Sequence, residues 1–428
     1  MEIQHYEQIG ETIYLETLNN GLKVYVLPKP DHNKTFSIFT TDYGSIDQAF
    51  TPLNSAETVQ VPDGIAHFLE HKLFEDEDGD AFNTFSKRGA QTNAFTSFTR
   101  TAYLFSSTSE VQANLETLLD FVQSPYFTEE TVEKEKGIIG QEINMYNDDA
   151  DWRLFFGLLS SLYKENPVRI DIAGTVQSID QITEDLLYTC YQTFYHPSNM
   201  VLFIVGPVDP QETVQLVRDN QEKKPFPEAG EIRRSYGDEP KESYERQKTI
   251  EMNVQTPKCL LGFKEPDDHY PHPGLSYELG VQLLLDVMFG PGSSTYEQLY
   301  KEGLIDNSFS ADFTMERSFG FSAIGGDTKD PERLVSQLEE TIHAFKQKPL
   351  QEEDIRTAKK RKIGAFLKQL NSPEFIATQF TRYEMNGDSL FAVVPTLEKM
   401  TLGDLESILQ RHFHSDRSSV TKVVAPQS

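Results

Sequence analysis

The chain has 428 residues, 39 basic and 67 acidic, for a formal charge of −28; 38% of it is hydrophobic, with 29 Phe and 18 Tyr. That is too long for one ordinary core and too apolar for wholesale disorder, so two domains are expected. So acidic a surface repels phosphate backbones and anionic lipid, which argues against nucleic acid and membrane partners.

Thr12 to Leu27 reads as strand, Asn19-Asn20-Gly21 turn, strand, and Thr35 to Thr41 as a further apolar strand. Next comes GIAHFLEHKLFE (64–75), with Pro62 and Asp63 suited to a helix start. On a helix, His67, Glu70 and His71 share one face, while Ile65, Phe68, Leu69 and Leu73 occupy the other. Two imidazoles one turn apart suit a tetrahedral ion such as zinc, and a glutamate beside them can take a proton from water. An amphipathic helix that carries two histidines by chance fits the same pattern, and a third ligand must come from elsewhere.

EDEDGD (75–80) alternates acids like a calcium loop, but Ala81 and Lys87 stand where that loop needs Gly and Glu, so a solvated loop is expected. Ala81 to Arg88 reads as a helix closed by Gly89, QTNAFTSFTRTAYLFSS (91–107) as two strands, and Leu115–Val122, Phe127–Met145, Trp152–Tyr163 and Ile179–Phe194 as helices. Val201–Val205 is a continuous apolar run, as in a buried strand. Gln221 to Lys248 is charged and rich in Pro and Gly, and reads as a linker.

Beyond residue 248 the same element order recurs. Cys259–Phe263 reads as a strand and Leu275–Phe289 as a helix; SSTYEQLYKEG resembles GDAFNTFSKRG, and SFSADFTMERSFGFS resembles TNAFTSFTRTAYLFS. LQEEDIRTAKK aligns with FTEETVEKEKG, setting Glu352 and Glu353 against Glu129 and Glu130. This implies a duplication: a first domain over 1–220, the linker 221–248, and a second domain over 249–428. The second copy has Leu283, Leu284, Leu285 and Asp286 in the region of the histidine helix and no histidine there, so chemistry is expected only in the first.

The best candidate for the missing ligand is in EKEKGIIGQE (133–142): Glu135 and Glu142, seven apart, share a face, while Ile138, Ile139 and Ile143 anchor the helix. A buried carboxylate needs a cation or hydrogen bonds, but a solvent-facing acidic stripe has the same spacing. Other candidates read as bland. Asp267, Asp268, His269 and His272 lie in a Pro-rich surface loop, His412 and His414 are exposed helix-end residues, Lys359–Lys362 is a solvated face, and Cys190 and Cys259 are small buried hydrophobes. MEIQHYEQIGETIYLE carries no basic leader or apolar run, and no stretch approaches a membrane span, so a cytoplasmic location is expected.

With these residues in view, the chain resembles the insulinase/pitrilysin metallopeptidases, which carry an inverted zinc motif. The resemblance spans nearly the whole chain and rests on GIAHFLEH (64–71), GAQTNAFTSFTRTAY (89–103), EKGIIGQE (135–142), IAGT (172–175) and YHPSNM (195–200), in the family's order. It implies an α+β fold of two homologous domains, each an antiparallel-rich sheet with helices packed on it, facing each other across a chamber. His67, His71 and Glu142 would bind one Zn2+ per chain, Glu70 would be the general base, and Glu135 would brace the site. Asn93 and Ala94 would lie on an edge strand that pairs with an extended peptide. The activity implied is zinc-dependent endopeptidase cleavage of peptides or unfolded polypeptides.

In the family the second domain usually donates an Arg and a Tyr that clamp the substrate; Leu299 and Asp306 fall at those places here. Two-chain members divide the zinc motif and the Arg/Tyr pair between subunits, so the resemblance implies the zinc-bearing subunit of a heterodimer with a paralogous partner. It is nearest a Bacillus-type paired subgroup whose name links it to the 5-aminopentanol modification of elongation factor P. The alternative is a non-catalytic or slow zinc-binding component of the same fold.

Overall fold

The computed structural model describes residues 1–53, 55–76, 79–265 and 274–426. The chain is a mixture of sheets and helices forming two compact units: Met1–Ile143 with Asp171–Ser235 and Gln369–Phe391, and Asn144–Ile170 with Tyr236–Lys368 and Ala392–Ser428.

The first unit is built on a seven-stranded sheet in the order Glu2–Tyr6, Glu11–Thr17, Lys23–Pro28, Met200–Gly206, Thr35–Thr41, Thr101–Ser107, Gln91–Thr96. Its centre is Met200–Gly206, the apolar run of the sequence, buried at every position as a strand covered on both faces must be. The second unit has a five-stranded sheet, Gln247–Glu251, Ser418–Val424, Lys258–Lys264, Phe319–Asp327, Ser310–Glu316. It repeats the last five strands of the first sheet in order and direction, with the first pair parallel and the rest antiparallel. Local chemistry repeats too. Gly64 and Gly274, each with positive φ, precede the helices Ile65–Leu73 and Leu275–Phe289. His196 and His414 each accept the backbone N–H two residues on, opening a 3-10 turn ahead of the strand that starts at Met200 or Ser418.

The covering helices are exchanged between the halves. Ala150–Leu162, which follows the long helix Glu129–Asp148, packs on Gln247–Glu251, Lys258–Lys264 and Ser418–Val424 in the second unit. Gly157 lies so close that a Cβ there would come 2.8 Å from Ile250 and 2.9 Å from Thr421. Its counterpart Pro373–Met385, after Glu352–Gln369, packs on Met200–Gly206 and Thr35–Thr41 in the first unit, where the Phe380 ring lies 4.5 Å from Phe203 and 4.7 Å from Tyr25.

Several expectations change in detail. Ile179–Phe194 is not one helix: Val176–Ile179 ends, and Glu184–Phe194 starts afresh because the Thr183 hydroxyl accepts the Leu186 N–H and holds its own backbone extended. The stretch 221–248 is pinned along its length. Arg233–Ser235 pairs with Ala49–Thr51, and the Glu239 carboxylate accepts the backbone N–H groups of Lys164, Glu165 and Asn166 and pairs with Lys264 at 2.5 Å. His412 is buried rather than exposed, between Glu265 at Nδ1 and the Ser322 hydroxyl 2.9 Å from Nε2; His414 is exposed. Cys190 and Cys259 are buried, and burial pushes both thiols up to about 12. Glu75–Asp76 pairs with Gly79–Asp80, whereas Glu77 and Asp78 lie outside the described residues, as do Asp267, Asp268, His269 and His272. Among the described residues no helix is long and apolar enough to cross a membrane.

Candidate metal centre

The helix Ile65–Leu73 starts at Gly64, whose φ of +87 and whose position against Ala173 both demand glycine: a Cβ would sit 2.4 Å from the Ala173 carbonyl oxygen. The Ser178 hydroxyl donates to the Asp63 carbonyl at 2.9 Å, so segment 171–178 clasps the start of this helix. Ile65, Ala66, Phe68, Leu69 and Leu73 are buried, which fixes the rotation of the helix and holds His67, Glu70 and His71 on its remaining face. The helix Glu129–Asp148 is anchored in the same way by buried Val132, Ile139 and Ile143.

The two helices bring His67, His71 and Glu142 together, with one ligand atom from each lying within 4.8 Å of the others. His67 Nε2 is 3.7 Å from Glu142 Oε1, and His71 Nε2 is 3.6 Å from Glu142 Oε2. Both separations are too long for good hydrogen bonds. They lie close to the edge of a tetrahedron of zinc ligands, about 3.4 Å for ordinary Zn–N and Zn–O bonds. His67 Nδ1 is buried with no hydrogen-bond partner among the described residues. Two nitrogens and a carboxylate that converge without bonding one another fit a divalent ion, and zinc accepts this donor set.

Glu135 is 5% exposed, and its Oε1 lies 2.9 Å from His71 Nδ1. In neutral His71 that contact favours the proton on Nδ1, beside the carboxylate, with the Nε2 lone pair facing Glu142. Burial, then the charge of His71, pushes His67 down to about 4, so its imidazole is neutral near pH 7. For His71, burial opposes protonation, but the Glu135 hydrogen bond and the charges of Glu70, Glu135 and Glu142 outweigh it and raise its pKa. Burial also raises the pKa of Glu70, against a hydrogen bond from the Thr96 hydroxyl 2.6 Å from Oε2.

Asn93 and Ala94 lie on Gln91–Thr96, the outermost strand of the seven-stranded sheet, opposite Leu104 and Tyr103. The Asn93 side-chain oxygen accepts the Ala94 N–H at 3.0 Å, so an added strand that uses this N–H must displace it. Leu299 is buried, and Asp306 accepts from Ser308 N–H and Oγ, so neither is a cation or a phenol that could clamp a peptide. Two contacts escaped the sequence: Thr96 on Glu70, and Ala173–Gly174 against Gly64. Each joins segments that no local pattern relates, although all of these residues fall inside the motif blocks.

Residues 56–176, which contain all of these ligand candidates, match the family described as insulinase (peptidase family M16), and residues 181–362 match the peptidase M16 inactive domain. The "uncharacterized zinc protease YmfH" of Bacillus subtilis is 59% identical over 420 residues, 98% of each chain. Zinc protease PqqE of Helicobacter pylori is 24% identical across 100% of this chain and 95% of its own. A solved structure from Alicyclobacillus acidocaldarius, described as an M16-like peptidase, superposes with a TM-score of 0.94 at 39% identity, covering 97% of this chain and 99% of that one. The duplicated sheets, the converging His–His–Glu set and these matches lead to one conclusion: the chain belongs to the insulinase family of zinc metallopeptidases, peptidase family M16.

Proposed function

We propose that this chain is a zinc-dependent endopeptidase in which His67, His71 and Glu142 hold one ion and Glu70 is the general base. The observation that carries this reading is the placement of one Glu142 oxygen opposite each imidazole Nε2, at 3.7 and 3.6 Å. When bound, zinc supplies Lewis acidity, which polarises a scissile carbonyl and acidifies water. Glu135 keeps the His71 proton on Nδ1 so that Nε2 can serve as ligand. Glu70 Oε1, the oxygen not held by Thr96, accepts a proton from the attacking water and returns it to the leaving amine. Buried Phe68 and Leu69 stiffen the helix that carries these groups. The strand Gln91–Thr96, through Asn93 and Ala94, would align an extended peptide by backbone hydrogen bonds that read little sequence.

Leu299 and Asp306 supply no substrate clamp, which supports a paralogous second chain that brings the Arg and Tyr. The same observation favours one other reading: a zinc-binding component of a two-chain assembly with slow turnover of its own. Purified chain is tested for zinc content and for cleavage of a fluorogenic unstructured peptide, alone and with Glu70→Gln. Zinc in both and turnover in wild type alone supports the peptidase. Equal turnover in both, or no zinc in either, contradicts it.

A further inference from the structure

Among the described residues, the Glu70 carboxylate is hydrogen-bonded at Oε2 alone, and that bond comes from the strand expected to seat the peptide. Thr96, the last residue of Gln91–Thr96, places Oγ1 2.6 Å from Glu70 Oε2. Its backbone is held from both sides. Thr96 pairs with Thr101 across the ladder, and the turn between them is closed by Ser97 N–H on the Arg100 carbonyl at 2.8 Å and by the Ser97 hydroxyl on the same carbonyl at 3.0 Å.

The direction of the hydroxyl follows from proton counting. Thr101 Oγ1 is 3.4 Å from Thr96 Oγ1, and it donates its one proton to the Tyr43 carbonyl at 2.9 Å, since a carbonyl can only accept. Thr101 therefore has nothing to give Thr96. The single Thr96 proton has two acceptors to choose from, and the carboxylate at 2.6 Å outcompetes a neutral hydroxyl at 3.4 Å.

We infer that Thr96 is a positioning residue for Glu70: its hydroxyl locks the rotation of the carboxylate, which leaves Oε1 as the oxygen that exchanges protons. Base and peptide-aligning strand thereby become one rigid element, so a peptide seated on Gln91–Thr96 is in register with the proton acceptor. This inference rests on the reading of Glu70 as the general base.

The test compares Thr96→Val, which keeps the β-branched shape and removes the donor, with Thr96→Ser, which keeps the donor, in the zinc-loaded full chain acting on a fluorogenic unstructured peptide. Thr96→Val should lower kcat by about 10- to 100-fold with KM and zinc content nearly unchanged, and Thr96→Ser should stay close to wild type. A crystal structure of zinc-loaded Thr96→Val, which needs no turnover, should show the Glu70 carboxylate rotated; Thr96→Ala replaces it if the Val variant does not fold. Normal kcat in Thr96→Val, an equal fall in Val and Ser, a change confined to KM, or an unmoved carboxylate overturns the inference. If Glu70→Gln abolishes turnover while Thr96→Val does not, this inference alone falls; if Glu70→Gln turns over normally, the assignment of the base falls and takes the inference with it.

Discussion

The two halves of the chain share a scaffold but treat the same location in opposite ways. With Gly274 aligned on Gly64, Tyr277, Gly280 and Val281 stand where His67, Glu70 and His71 stand in the first half, earlier on the helix than Leu283 to Asp286. With Glu352 aligned on Glu129, Ala358 and Ala365 replace Glu135 and Glu142. In the second half the polar groups close on one another: the Tyr277 hydroxyl donates to Glu265 at 2.5 Å, and Glu265 holds His412, which reaches Ser322. In the first half the two Nε2 atoms lie 3.7 and 3.6 Å from the Glu142 oxygens, too far to hydrogen-bond them well, and His67 Nδ1 has no partner among the described residues. The same scaffold thus carries a converging His–His–Glu set in one half and none in the other, and the first half keeps a partly buried cluster of polar groups that a cation would satisfy.

The largest expected effect separates the two locations by chemistry. Glu70→Gln should lower turnover by about a hundred- to ten-thousand-fold with zinc retained, whereas His71→Ala should lose the zinc itself, read by elemental analysis and peptide cleavage. Zinc retained in His71→Ala would erase the difference between the halves.

Next is the exchange of covering helices. Phe380→Ala should cost about 3–5 kcal/mol in denaturant unfolding, although Phe380 lies in the second half of the chain and packs on the first unit's sheet. For the same reason a cut within 221–248 should leave the two pieces associated on size exclusion, and residues 1–220 expressed alone should be unstable.

The Glu239–Lys264 pair shows how the second unit satisfies its charges internally. Both side chains are nearly fully buried, and Lys264 together with three backbone N–H groups lowers the Glu239 pKa against its burial. Glu239→Gln should cost about 3 kcal/mol near pH 7, because it removes the buried carboxylate charge that faces Lys264. A depressed carboxylate pKa contributes stability above its unfolded value of about 4.3, and that contribution is lost as pH falls through the folded value. The gap in melting temperature between wild type and Glu239→Gln should therefore close in acid. The smallest effect should come from Tyr277→Phe at the counterpart of His67: about 1 kcal/mol of stability, with zinc content and turnover unchanged.

What the sequence made legible divides along the range of each interaction. His67, Glu70 and His71 are related by helix geometry alone, so their common face could be read from spacing. The seven-residue interval likewise put Glu135 and Glu142 on one face, but it could not tell an inward stripe from a solvent-facing one. That choice depends on a contact such as Glu135 to His71, 64 residues apart. The apolar faces of Ala150–Leu162 and Pro373–Met385 announced helices that must be covered, not which sheet covers them. His412 looked like an exposed helix end because its burial is set by Glu265, 147 residues away. The Thr183 break was readable in principle, since a threonine followed by Glu184 and Asp185 is a start signal for a new helix.

The most direct test of the central claim is anomalous scattering at the zinc edge from a crystal of the purified chain. The account predicts a single peak per chain, about 2.0–2.2 Å from His67 Nε2, His71 Nε2 and a Glu142 carboxylate oxygen, with nothing near Tyr277. No peak there, or a peak only at another site such as Asp267–His272, would contradict it.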